Sequence, residues 1–383
     1  MHPLKSIFIW MVMLILLTGC WDIKEIEDVG IIVGVGLDVD SNDDNLTMVN
    51  QYVVPGKIPT QQDSSPQSVP FQNISMTGDT FFEIIRMNSL ESNRPPNYTH
   101  LKSILSSTKI FEKERADQVL DIFIRDHEFR RTTPVFITRD PVLDILNTEP
   151  EKEVFPAIQI KSLSENYQIN NKNPKNLTVG DMSQYISEKK SFLIPGVSLE
   201  EGKVKSSGAG IIEAKSSHYL GWIDIDDMEG VRYMHNNVVG GFIYLKEEKL
   251  KEGPVILEIK GANTKFKTNV QGDDLKMKVQ VNISSVLAED WGLGRNVFKK
   301  SWKNELEEAA NETIKEKIER ILELAQQEYQ TDFLNLSKWV QIHEPKYWEK
   351  HEKEWDKLFP ELDISVDVHT EITDFGTQNF NAK

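Results

Sequence analysis

Residues 255–290 read VILEIKGANTKFKTNVQGDDLKMKVQVNISSVLAED, and residues 301–329 read SWKNELEEAANETIKEKIERILELAQQEY. The first stretch alternates apolar and polar residues on both sides of Gly272, which predicts two strands, each with one buried and one wet face. In the second, Trp302, Leu306, Ala310, Ile314, Ile318, Ile321 and Ala325 recur at steps of four and three. That spacing predicts one long helix over 301–329 with a single apolar stripe, Ser301 as its cap and Lys317 on its wet face. Residues 361–373, ELDISVDVHTEIT, alternate again. The helix is expected to dock its stripe on a sheet formed by 255–288 and 362–373. Each of these elements has one face that must leave water, and short connections then close a single C-terminal unit.

Upstream, IEDVGIIVGVGLDVD (26–40) and LTMVNQYVVP (46–55) predict a hairpin across the acidic turn DSNDDN. Residues 55–76, rich in Pro, Ser and Gln, read as a long loop. Thr77-Gly78-Asp79-Thr80 caps a helix in FFEIIRMNSL, and a strand is expected around Leu101 to Thr108. Residues 112–127 place Ala116, Val119, Leu120, Phe123 and Ile124 on one helical face, and PVFITR then gives a strand. Asp140-Pro141 starts the helix VLDILN, and LTVGD (177–181) reads as a strand. Further on, GAGIIEAKSSHYLGWIDI predicts a hairpin, DDMEGVRYMHNN a short helix and turn, and VVGGFIYLK a strand. The expected class is α+β, with three domains of mixed or antiparallel sheets packed with helices. After a signal at 1–19, the divisions fall at 20–194, 195–254 and 255–383, with a boundary near Ile194 in a charge- and glycine-rich connection.

The first residues, MHPLKSIFIWMVMLILLTGCWD, carry one lysine and then an apolar run from Ile7 to Leu17. As a helix that run rises only ~16 Å, against roughly 30 Å of hydrocarbon, which suits the h-region of an export signal. Leu17-Thr18-Gly19-Cys20 reads as a lipobox: two small residues admit a peptidase, and the thiol takes a lipid. Cys20, the single cysteine of the chain, is the expected attachment point for an S-diacylglycerol and an N-acyl group. Two or more acyl chains give stable anchoring where one does not. With 60 acidic against 44 basic residues and a formal charge of −16, the 383-residue chain should be repelled by nucleic acid and by anionic headgroups. Membrane attachment is then expected through lipid alone.

No catalytic, cofactor or metal site emerges. Gly34-Val35-Gly36 is half of a dinucleotide fingerprint without the third glycine. Asp38, Asp40 and Asn42 imitate the start of a calcium loop, but Asp43 replaces its glycine and Val49 its glutamate. His100, His127 and the Arg125/Arg130/Arg131 group lack a nucleophile or a glycine-rich loop, and are read as solvated or salt-bridged. His343 and His351 have no acidic or cysteine partner at metal-ligand spacing.

Taken together, these stretches resemble the Ger(x)C family, the lipoprotein C subunits of spore nutrient germinant receptors. The likeness begins at Cys20-Trp21-Asp22 with Glu25-Ile26, continues at Gly78-Asp79-Thr80-Phe81-Phe82, and is strong at LDIFIRDHEFRRT (120–132). It returns in LGWIDIDDMEGVRYM (220–234) and GGFIYL, and is strongest over 332–376, with Trp348, Trp355 and Phe359 in family positions. Two positions depart from the pattern: Asp227-Met228-Glu229 precede Gly230 where the family more often shows glutamate–threonine–arginine, and Glu344 precedes Pro345 where a basic residue is usual. The resemblance implies a three-domain α+β lipoprotein without enzymatic activity. It implies work beside polytopic A and B subunits at the outer face of the spore inner membrane. Two other classes compete. A lipid-anchored solute-binding protein of a transporter would show two doubly wound lobes, and a surface hydrolase would show a nucleophile motif.

Overall fold

The computed structural model of the chain describes residues 29–40, 45–58, 69–92, 94–250, 253–292 and 299–375. The predicted signal and Cys20 lie outside the described residues. The first hairpin forms as its alternation requires: β1 (Gly30–Val39) pairs antiparallel with β2 (Leu46–Val53). The expected loop ends sooner than its composition suggests. Phe71–Gly78 forms β3, paired antiparallel along the whole of β2, because Phe71, Ile74 and Met76 have an apolar surface to lie against. Helix α1 (Phe81–Glu91) begins at the predicted cap, where the Thr80 hydroxyl accepts the Glu83 N–H at 3.2 Å.

After β4 (Pro96–Asn97) and β5 (Ser103–Ser107) come two helices, an unforeseen short one and then the helix expected within 112–127. These are α2 (Thr108–Lys113), capped by Ser107, and α3 (Ala116–Arg125). Then follow β6 (Pro134–Thr138), α4 (Val142–Leu146) and α5 (Pro156–Glu165), the last not foreseen in the sequence. LTVGD is corrected from strand to helix start. Only Leu177–Thr178 (β7) pair, and α6 (Val179–Ser187) opens with a reciprocal box between Thr178 and Asp181. Strands β8 (Phe192–Glu200), β9 (Lys203–Ile212) and β10 (Tyr219–Ile223) complete a ten-stranded mixed sheet. Its order is β10-β9-β8-β6-β5-β1-β2-β3, with β4 beside β1 and β7 beside β6. The centre is parallel and both flanks are antiparallel.

The glycines of the half fingerprint serve this packing. A Cβ on Gly36 would lie 2.4 Å from Val142 of α4, and one on Gly34 2.6 Å from Ala157 of α5. The pair lets two helices sit directly on β1, as close helix–strand approach demands.

The remainder is a second sheet, reached through α7 (Met228–Met234) and ordered β11 (Phe242–Leu245), β12 (Val255–Gln271), β13 (Asp274–Asp290), β14 (Asp363–Asp374). β14 runs parallel to β13, so the chain crosses over between them. The crossover contains α8 (Lys300–Glu323), α9 (Leu336–His343) and α10 (Pro345–His351). As predicted, α8 turns Leu306, Ala310, Ile314, Ile318 and Ile321 inward onto Val279, Val281 and Ile283 in one continuous core. Each aliphatic side chain so buried stabilises by about 2 kcal/mol. Two details differ. Ser301 sits inside the first turn rather than capping it, and the helix passes into a single π turn at Leu324–Glu328. Lys317 is half-buried, its Nζ donating to the Asp226 carbonyl at 3.3 Å.

The boundary expected near Ile194 falls inside β8, and the strands of the expected middle segment divide between the two sheets. Ala209, Ile211 and Ile223 of the larger sheet pack into the core of the smaller one.

Candidate functional site at the junction of the sheets

Where the two sheets meet, α7 carries a group of polar side chains that the sequence gives no obvious reason to bury. All seven of its residues, Met228–Met234, are buried. Gly230 makes this possible, since a Cβ there would stand 2.3 Å from the Lys317 carbonyl oxygen of α8. The short helix therefore lies against the long one at backbone distance, a contact that other residues would break.

Two residues further, Arg232 is 1% exposed, and among the described residues no carboxylate pairs with it. Its guanidinium donates to carbonyl oxygens instead. Nη1 donates to Tyr167 O at 2.7 Å and to Asn173 O at 2.8 Å, Nη2 to Asn237 O at 2.5 Å, and Nε to Asn237 Oδ1 at 2.9 Å. The Tyr167 ring lies 5.3 Å from the guanidinium carbon. Burial pulls its pKa down to about 10, so it keeps its charge at neutral pH. A planar fork of donors suits this task, because carbonyls arriving from several directions meet N–H groups already pointing at them. Asn171 ties the same loop to β11, accepting from Phe242 N–H at 3.3 Å and donating to Phe242 O at 3.2 Å.

His235 follows the helix. Its Nε2 is 3.3 Å from the Phe333 carbonyl, which can only accept, so that nitrogen bears the proton. Burial, with smaller contributions from Lys175 and Arg232, lowers its pKa to about 4, and the ring is neutral at pH 7. Glu229 behaves oppositely: burial raises its carboxyl above the usual range, against the pull of Lys317 and Lys172. Asp332, raised by burial as well, holds the start of α9 by accepting from Leu336 N–H at 2.9 Å, Ser337 N–H at 2.7 Å and Trp355 Nε1 at 3.1 Å.

Beside these groups opens a cleft of about 520 Å³. Tyr185 of α6, Phe192 of β8, Phe266 of β12 and Trp339 of α9 are among its lining residues. Trp339 is stacked on His343 at 3.6 Å between ring centroids, and Ile342 at the mouth is 60% exposed. The Nε2–H of His235 and the Nε–H and both Nη groups of Arg232 donate to oxygens of the chain, so these protons are committed within the junction. Chemically the junction can hold surfaces in register and accept an apolar group. It assembles no nucleophile with a base.

The other residues singled out from the sequence lie apart. His100, Arg130 and Arg131 are exposed on the surface. Arg125 is paired with Asp121 at 2.6 Å, and His127 sits 3.6 Å from Asp126. His343 is taken up by Trp339, whereas His351 finds an acid the spacing did not reveal, Asp273 at 3.5 Å from the β12–β13 turn. Glu344, one of the departures from the family pattern, accepts from the Thr268 hydroxyl at 2.6 Å and so links α10 to β12. Among the described residues no three His, Cys, Asp or Glu side chains gather as a metal site would require. Arg232 and His235 were not picked out as site residues. The one signal in the sequence was an arginine and a histidine set among Val231, Tyr233 and Met234 in a short helix–turn.

Comparison with known proteins covers nearly the whole chain. Residues 22–199 match the family described as Spore germination protein N-terminal domain, and residues 207–376 match Spore germination B3/GerAC like, C-terminal. Spore germination protein B3 of Bacillus subtilis (strain 168) is 30% identical over 95% of this chain and 96% of its own length. Spore germination protein A3 of the same organism is 32% identical over 96% of both. Among solved structures, the GerBC protein superposes with a TM-score of 0.61 at 26% identity, covering 92% of this chain and all of that one.

Proposed function

Because the chain belongs to the spore germination B3/GerAC-like family, we propose that it is a lipid-anchored, non-catalytic subunit of a spore nutrient germinant receptor. It assembles with polytopic A and B subunits at the outer face of the spore inner membrane. The observation that carries this reading is the identity of 30–32% with two spore germination proteins over almost the full length of each chain. The lipobox Leu17 to Cys20 supplies the anchor, and no helix of the described residues is long and apolar enough to cross a membrane. The engagement of Arg232 and His235 with carbonyls favours a role in contact rather than turnover. Detergent-solubilised spore membranes, passed over an affinity tag on this chain, test the proposal. Two polytopic subunits should co-elute. Co-elution of an ATPase and a permease would instead assign the chain to a transporter, and recovery of the chain alone would also overturn the reading.

A further inference from the structure

A second concavity is a groove of about 860 Å³ between α1 and α3, lined by none of the residues of the junction cleft. Its floor is apolar: Leu46 of β2, Phe81 of α1, and Val119 and Ile122 of α3. Phe82 stands at its edge, 50% exposed, with the Arg86 guanidinium 4.7 Å over its ring. Around this floor lie five carboxylates, Asp79, Glu114, Asp117, Asp121 and Asp126, against two guanidiniums. Arg86 lies on Phe82, Arg125 is paired with Asp121, and Arg115 beside the groove is paired with Asp117, so the excess of negative charge rests on Asp79, Glu114 and Asp126.

We propose that this groove docks an amphipathic helix of a partner protein, one that lays an apolar stripe on the floor and sets lysines or arginines against the rim. Shape and charge both lead there. The lining follows α3 for its length, about 15 Å of helix, a trough for a rod rather than a cup for a compact solute. An excess of carboxylates on the rim attracts cations and repels an acidic segment or anionic headgroups. The inference rests on the chain working in an assembly and adds the surface and the chemistry of one contact.

The test uses two synthetic helical peptides of about 18 residues, long enough to hold helix. They share one leucine stripe, and the remaining faces carry lysine in one and glutamate in the other. Each is titrated into the purified, folded chain by fluorescence anisotropy at low salt and at about 0.3 M, where surface charges are screened. The lysine peptide should bind and weaken with salt, and the glutamate peptide should not bind. Phe82→Ser and Ile122→Asn should each weaken the lysine peptide roughly tenfold, as loss of an anchor does. Tyr244→Ser, a similarly exposed aromatic at 47% on the other sheet, should change nothing. Phe82 is half in solvent, so its serine variant should unfold thermally with the wild type, which keeps the result readable if Ile122→Asn fails to fold. Equal affinity for the two peptides overturns the proposal. So does a loss at Phe82 no larger than at Tyr244, since binding is then a general attraction of basic peptides to an acidic protein. The peptide result stands or falls without the membrane co-elution, so a failure of either reading is seen separately.

Discussion

Arg232 shows how one side chain holds two parts of a fold together. Its charge is buried without a counter-ion, and the carbonyls of Tyr167, Asn173 and Asn237 take the place of one. Arg232→Lys keeps the charge but replaces the fork by a single ammonium that cannot reach all of them. The variant should lose about 3 kcal/mol or more in urea unfolding, because a buried charge and several acceptors are left unsatisfied. Stability within about 0.5 kcal/mol of wild type would mean that the loop at 166–173 closes without it. His235 makes a pH-dependent contribution of definite sign. Its folded pKa, about 4, is below the ordinary 6.5, so between these values the unfolded chain binds a proton that the folded chain does not. Stability from this group is complete above pH 6.5, falls as pH drops toward 4, and levels off below. The difference amounts to on the order of 3 kcal/mol. Unfolding measured from pH 7 to 4 should therefore have a shallower slope in His235→Asn than in wild type. Parallel slopes would show that folding does not lower the pKa of this ring.

At the scale of elements, α8 is amphipathic in the ordinary sense, but its wet face is not uniformly wet. Ile318 is fully buried, and an aspartate there would place an unpaired carboxylate among Leu306, Ile314 and Ile321. Ile318→Asp in the full chain should cost several kcal/mol, enough to abolish cooperative unfolding of a protein stable by ~5–15 kcal/mol. The informative control is Lys315, an exposed residue paired only with Glu319 at 3.6 Å, and Lys315→Asp should cost under about 1 kcal/mol. Lys317 cannot serve, because its ammonium faces Asp226 and Glu229 across the contact with α7. Near-wild-type unfolding of both variants would mean that α8 does not rest on the sheet in solution. The crossover topology explains why so much depends on this helix. It covers β14, accepting the N–H groups of Thr370 and Ile372 on its Asn311 and Glu307 side chains, and so closes part of an otherwise open sheet edge.

For the whole molecule the decisive expectation lies outside the described residues. Cys20→Ala should leave the folded part unchanged, since the residue precedes β1 in the chain, while recovery in the membrane fraction falls sharply. Membrane recovery equal to wild type, with the signal cleaved, would sink the lipid anchor. A chain of formal charge −16 is on balance repelled by anionic lipid, so loss of the anchor should not be made good by charge.

Periodicity and local chemistry were enough to read most elements from the amino acids alone. The β1–β2 hairpin, the Thr80 cap, the three long strands and the stripe of α8 are each written in residues a few positions apart, where propensity and burial agree. The capping box at Thr178 was equally local and was misread, since an apolar-polar pair before a glycine looks like a strand. What the tertiary structure alone decided is partnership. Alternation gives a strand two faces but no neighbour, so nothing in 192–223 says that these strands extend the first sheet while lending Ala209, Ile211 and Ile223 to the core of the second. Nor does an arginine announce that it will be buried, because the carbonyls that make its burial tolerable lie 59 and 65 residues away and become its partners only when the chain has folded.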